Sequence, residues 1–150
     1  MIEELDHKDQ EVAQHIRALF QVSYAVEAAI LKAEYFPPLK RPIEAFIDTD
    51  NVFYGFREAN SLAAAIELDQ AEGSVHIQSL VVDPGFFRQG KASKLIEFVK
   101  DKFAGYLITV ETGVDNAPAV RLYLKRGFQE VKQWDTDHAI RKVRFELGEG

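Results

Sequence analysis

Apolar residues near the start of the chain recur at helical spacing in two consecutive stripes: Val12, Ile16, Leu19 and Phe20, then Val22, Val26, Ala29 and Ile30. Asp6 and Asp9 precede the first stripe, where N-caps belong. Over residues 9–33 the pattern fits one bent helix or two helices equally well. Phe36-Pro37-Pro38 ends the region, because neither proline can continue a helix and the residue before a proline avoids α geometry. Residues 1–5 read as a short first strand. Three strand-like runs follow the prolines, over 52–58, 62–68 and 75–82, separated by the turn signals Ala59-Asn60-Ser61 and 70–73. Their connections are too short for crossovers, so antiparallel pairing is predicted. After Pro84-Gly85, Ala92, Leu95, Ile96, Val99 and Phe103 form an amphipathic helical stripe. Residues 106–111 predict a strand, 118–126 a helix ended by Gly127, and 140–147 an alternating last strand. Helices interleaved with a mostly antiparallel sheet make the fold class α+β, or mixed α/β.

A chain of 150 residues suits one domain spanning 1–150, with 47% apolar and 28% charged residues in the balance of a globular protein. Cysteine is absent, which removes disulfides, thiolate metal sites and a cysteine nucleophile together. No basic stretch followed by an apolar one opens the chain, and no run of ~18 apolar residues occurs. The expectation is a cytoplasmic protein with no membrane partner. Eighteen Lys and Arg against 24 Asp and Glu give a net charge of −6, which argues against a nucleic-acid partner. The charge is uneven: residues 1–80 hold 14 acidic and 6 basic side chains, and residues 81–150 hold 10 and 12. That division suits a cation met by the first half and an anion met by the second.

The segment richest in chemistry runs from Leu80 to Ala92. A strand stops, a tight turn follows, and a helix begins at a glycine-centred loop. Helix N-termini present unpaired N–H groups and partial positive charge, so such a turn suits a phosphate. Gly90 and Ala92 leave the backbone of Arg88, Gln89, Gly90, Lys91, Ala92 and Ser93 open to close approach, and Arg88, Lys91 and Lys94 add positive charge. The loop is neither a Walker loop nor a G-x-G-x-x-G fingerprint.

Leu80-x-Val82-x-Pro84 running into Arg88-x-Gly90-x-Ala92 resembles the acetyl-CoA motif of GNAT-type N-acetyltransferases. Asn116-x-x-Ala119-x-x-Leu122-Tyr123-x-x-x-Gly127-Phe128 resembles the family's downstream motif at each of these positions. The two motifs stand in the family's order, and the resemblance is specific over residues 75–130. One position departs: three residues before Gly90, where the family carries Gln or Arg, stands Phe87. The resemblance implies a GNAT-like fold whose middle strands splay apart. Acetyl-CoA would lie in the splay, its pantetheine arm pairing with the backbone of Leu80 and Val82 and its pyrophosphate on the loop 88–93. It implies no metal, and no metal-ligand spacing, carboxylate pair or Ser/His/Asp order competes.

The resemblance further implies that Tyr123 hydrogen-bonds the departing sulfur and that Asn116, an N-cap by position, contacts the pantetheine. It places His76 where protein-acetylating relatives often carry a glutamate base, with Glu67 as runner-up. Removal of a proton is required because an ammonium of pKa about 10 has no lone pair. The activity implied is acetyl transfer to a primary amine by direct attack in a ternary complex. The acceptor expected from the acidic first half is cationic, met by residues 9–33, the loop 35–38, Asp48 and Asp50. A non-catalytic acyl-CoA sensor on the same fold, and a structural domain without cofactor, are the other readings. A homodimer paired through its sheets is a family arrangement that no strand edge in the sequence demands.

Overall fold

The computed structural model describes residues 1–148. Seven strands form one sheet in the order β1-β2-β3-β4-β5-β7-β6. They are β1 (Ile2–Leu5), β2 (Val52–Glu58), β3 (Ser61–Ala71), β4 (Ser74–Val82), β5 (Leu107–Gly113), β6 (Gln129–Asp135) and β7 (Arg141–Leu147). The helices are α1 (Gln10–Leu31), α2 (Ile43–Ile47), α3 (Lys91–Lys102) and α4 (Ala117–Lys125), with single 3-10 turns at Pro37–Lys40 and Pro84–Phe86. Among the described residues no helix is long and apolar enough to cross a membrane.

The two apolar stripes of residues 12–30 lie on one continuous helix. Asp9 caps α1, its carboxylate accepting from the Val12 N–H at 3.1 Å, and the helix stops at Lys32 in the left-handed region (φ 54°), ahead of the prolines. Ala13, Ile16, Leu19 and Phe20 pack with Phe46 of α2 and with Phe53, Ala65 and Val81 on one face of the sheet. The opposite face carries Ala64, Ile66, Leu68, Val75 and Ile77 against Leu95, Ile96 and Val99 of α3, continuing to Tyr123, Phe128 and Phe145.

The antiparallel run β2-β3-β4 has the predicted pairing, with one irregularity that matters. Glu67 lies opposite Ser79 and Leu68 opposite Ile77, so Gln78 is an extra residue in β4. Side chains therefore change faces at Gln78: Val75 and Ile77 point to the α3 side, Val81 to the α1 side, and Leu80 and Val82 back to the α3 side. Two elements lie outside the sequence prediction. β6 is an exposed edge strand and α2 is only five residues long.

Candidate functional site

β4 and β5 pair in parallel only from Ser74 opposite Leu107 to Ile77 opposite Val110. Beyond that point β4 stays with β3 as far as Val82, and β5 follows β7 as far as Gly113. The strands separate, and a cavity of about 700 Å³ opens between them, walled by α1 and α4. The Asp83 N–H donates to the Ala63 carbonyl at 2.8 Å. Alternation along the strand then turns the N–H groups of Leu80 and Val82 away from β3 and toward the gap. The Val82 N–H donates to the Ser23 hydroxyl of α1 at 3.2 Å.

At one end of the cleft stands the glycine loop. Gly90 caps α3 in the left-handed conformation (φ 75°) with no side chain bonded to the helix N–H groups, and a Cβ built there would meet open space. Arg88 is also left-handed (φ 64°), an unusual geometry for a residue with a side chain. Alternating backbone of this kind turns N–H groups toward one point and makes an anion-binding concavity. Arg88 and Phe87 line the cleft at its mouth, with Arg121 of α4. The side chains of Lys91 and Lys94, expected to add charge here, point elsewhere. Lys91 is buried, with its ammonium 4.7 Å from the Phe56 ring centre and 3.5 Å from Glu58. Lys94 lies over the same ring at 5.5 Å. Both ammonium groups are thus held at the Phe56 ring and not in the cleft. Gln89, Gly90, Lys91 and Ser93 do not line the cleft; Leu80, Val82, Arg88 and Ala92 do.

Farther in, Tyr123 and Asn116 come together. Tyr123 is 5% exposed, its ring set against Phe128 and Phe145 at 5.6 and 5.8 Å, and it lines the cleft. Asn116 caps α4, its side-chain oxygen accepting from the Ala119 N–H at 3.4 Å. Burial raises the Tyr123 phenol well above its ordinary range, and the charges of Glu27 and the nearby Tyr24 push the same way. The Tyr24 phenol is raised for the same leading reason. Glu27, one turn after Ser23 and Tyr24 on α1, is raised by burial, against the opposing pull of the Lys142 ammonium and the Asn116 amide.

His76 is not brought to this cleft. It lies in a separate hollow of about 320 Å³ with Asp69, Thr109, Glu111 and Arg144, its Nδ1 2.7 Å from the Thr109 hydroxyl. His76 sits before the parting, still paired opposite Thr109, and the extra residue Gln78 sets it and Leu80 on opposite faces of the sheet. Glu67 is fully buried and takes bonds from Arg41, Asn51 and Ser79. Of the segments expected to meet the acceptor, Phe36, Pro38 and the α1 residues Phe20, Ser23, Tyr24, Val26, Glu27 and Ile30 line the cleft, whereas Asp48 and Asp50 do not. The sequence reading passed over Glu27, Arg121, Glu111 and Lys142. None of the four is marked by a local pattern, since each meets the cleft through packing between segments distant in sequence. Among the described residues no group of His, Cys, Asp or Glu converges as a metal site.

Residues 11–128 match the model of the acetyltransferase (GNAT) family. A relative from Bacillus subtilis, the UPF0157 protein YqkA, is 32% identical over 133 residues; the match covers 88% of this chain and 39% of that protein, so this chain spans about two fifths of its length. The fold is shared with the ribosomal-protein-S18-alanine N-acetyltransferase of Escherichia coli (TM-score 0.78, 18% identity, 100% of this chain and 95% of that one). It is shared also with the PaiA N-acetyltransferase of Thermoplasma acidophilum, whose structure holds coenzyme A (TM-score 0.72, 17% identity, 98% and 99% covered).

Proposed function

The chain belongs to the GNAT acetyltransferase family, and on that premise we propose that it transfers an acetyl group from acetyl-CoA to a primary amine of cationic character. One observation carries the reading. The parting of β4 and β5 at Ile77 and Val110 turns strand N–H groups into a cleft that runs from the N-terminal end of α3 to Tyr123. The residues fit the cofactor at both ends. The N–H groups of the loop 88–93, with Arg88 and Arg121, suit a diphosphate. The N–H of Leu80 suits a carbonyl of the pantetheine arm, which would pair with β4 as an added strand does; at Val82 the same role requires displacing the Ser23 hydroxyl. When bound, acetyl-CoA supplies an activated thioester.

The chain's own residues do the rest. Tyr123 holds its proton, because its enclosed phenol ionises far less readily than a free one. It is a hydrogen-bond donor to negative charge developing on a leaving sulfur, a role that a poorly acidic phenol fills without giving the proton up. Asn116 fixes the start of α4 and so the height of Tyr123, two turns further along. Phe20, Phe36, Ile77 and Val110 give the cleft an apolar stretch of wall beside these polar groups. For the acceptor, Glu27 supplies a carboxylate and Phe36 and Pro38 an apolar edge.

Release of free thiol from acetyl-CoA, recorded with spermidine, a lysine peptide and a free-N-terminal peptide, tests the reading. Turnover with at least one amine, and a loss of about 10²-fold or more in kcat for Tyr123→Phe at unchanged coenzyme affinity, is expected. Tight coenzyme binding with no turnover would favour the sensor, to which Phe87 in the family's Gln/Arg position lends its support. No binding at all sinks both.

A further inference from the structure

Proton removal from the acceptor still lacks a group. Tyr123 retains its proton, His76 opens into the other hollow, and Glu67 is enclosed by three partners. Two carboxylates line the cleft, Glu27 from α1 and Glu111 from β5. Glu111 is bound to Arg144 at 3.0 Å. Glu27 makes no ion pair among the described residues and lines the cleft from α1 beside Tyr24, with Tyr123 lining it from α4. We propose that Glu27 is the base that takes the proton from the acceptor amine, leaving a nitrogen lone pair beside Tyr123.

This assignment rests on the acetyl-transfer reading and deepens it. The groups facing Glu27 are Tyr24 on its own helix, Asn116 and Tyr123 from α4, and Lys142 from β7; Glu111 and Arg41 line the same cleft. Burial holds the Glu27 carboxyl above its ordinary range, with Lys142 and Asn116 opposing, and a carboxylate so held is a stronger proton acceptor. Position along the helix matters equally. Ser23, one turn earlier on α1, takes the Val82 N–H, so the same stretch of α1 meets β4 through Ser23 and lines the cleft through Glu27.

The proton balance is simple. The acceptor enters as an ammonium; one N–H bond breaks, its electron pair stays on nitrogen and the proton moves to a Glu27 carboxylate oxygen. The C–N bond forms as the C–S bond breaks, and that bonding pair leaves on sulfur. A second nitrogen proton passes to the sulfur, to which the Tyr123 hydroxyl donates a hydrogen bond while keeping its own proton. Glu27 then returns its proton to water. The products are the amide, the free thiol and one proton.

The test follows thiol release by the full chain with acetyl-CoA and the same three amines from pH 5.5 to 9.5, for wild type, Glu27→Gln and Glu27→Asp. Calorimetric titration of each with coenzyme A establishes that its cleft is intact. For Glu27→Gln the expected result is a fall of about 10²–10⁴-fold in kcat/KM at neutral pH. Its rate should then climb about tenfold per pH unit toward the amine's own pKa, with coenzyme affinity within about twofold of wild type. Glu27→Asp should recover part of the rate. If Glu27→Gln keeps the wild-type pH profile and more than half its rate, the base is not Glu27, while acetyl transfer stands. If wild type binds coenzyme A yet releases no thiol with any amine, the transfer reading fails and takes the base with it.

Discussion

Arg41 grips Glu67 with both terminal nitrogens, at 2.7 and 3.0 Å, and the carboxylate is wholly enclosed. The guanidinium lies 4.0 Å from the Phe46 ring centre and donates a further bond to the Ala45 carbonyl at 3.0 Å. The pair thus fastens the segment around α2 to β3 and sets one wall of the cleft. Asn51 and Ser79 satisfy the rest of the carboxylate, at 2.9 and 3.1 Å.

Removing one partner strands a buried charge. Arg41→Ala should lower unfolding stability by about 3–5 kcal/mol, read from urea denaturation. A loss under about 1 kcal/mol would show that Glu67 finds water or a proton once Arg41 is gone.

The divergent aims of neighbouring cations give a second expectation. Arg88→Gln should weaken coenzyme A binding about 2- to 5-fold, the worth of one charge at a helix terminus. Lys91→Met, which keeps the stem against Phe56, should leave affinity within about twofold. Equal losses in the two variants, by calorimetry, would mean that the Lys91 ammonium reaches the ligand after all.

Gly90 combines a φ of 75° with open space around any added methyl, so its replacement is a conformational test free of clashes. Gly90→Ala should cost about 1–2 kcal/mol of stability from the left-handed backbone alone. Coenzyme affinity should fall with it, as the methyl shields the first N–H groups of α3. Unaltered affinity would detach the loop from anion binding.

Two titrations give opposite pH signatures. Burial, with Arg144 and Lys142, depresses His76 against the pull of Glu111 and Asp69. A group depressed in the folded state contributes stability above its unfolded value of about 6.5, lost as pH falls through the folded one. His76→Asn should therefore flatten the decline of Tm between pH 7 and 5. Glu27, raised by burial, acts the other way: its contribution is present at acid pH and lost as pH rises through the folded value. Glu27→Gln should raise Tm at pH 7–8, with the gain vanishing below pH 4. A gain that persists at pH 4 would assign the effect to packing rather than to charge.

Much of the fold was legible because burial enforces periodicity. Ile16, Leu19 and Phe20 on α1, and Leu95, Ile96 and Val99 on α3, are buried as their spacing requires. β6 escaped detection since it is an edge strand with little to hide; Gln129, Glu130 and Lys132 are all exposed and no alternation results. The loop 88–93 and the helix bearing Asn116 and Tyr123 were readable as motifs, for glycine geometry and capping are local. The base was not. Strict alternation sets His76, Leu80 and Val82 on one face, and only the pairing of β4 with β3 reveals that Gln78 interrupts it. Glu27 lies far in sequence from the residues it meets, so its role depends on packing that no local pattern encodes.

α1 is one unbroken rod of 22 residues, gripped by the sheet at Ile16 and Phe20 and presenting Ser23 and Glu27 beyond that grip. At 1.5 Å per residue, Glu27 stands about 16 Å from Ile16 along the axis, so a tilt of about 4° at the gripped end swings it by about 1 Å. A displacement of that size is enough to cost about 10²-fold in a reaction that depends on alignment. Shaving a methyl group from Ile16 would be felt three turns away, as a misaimed lever rather than as a hole.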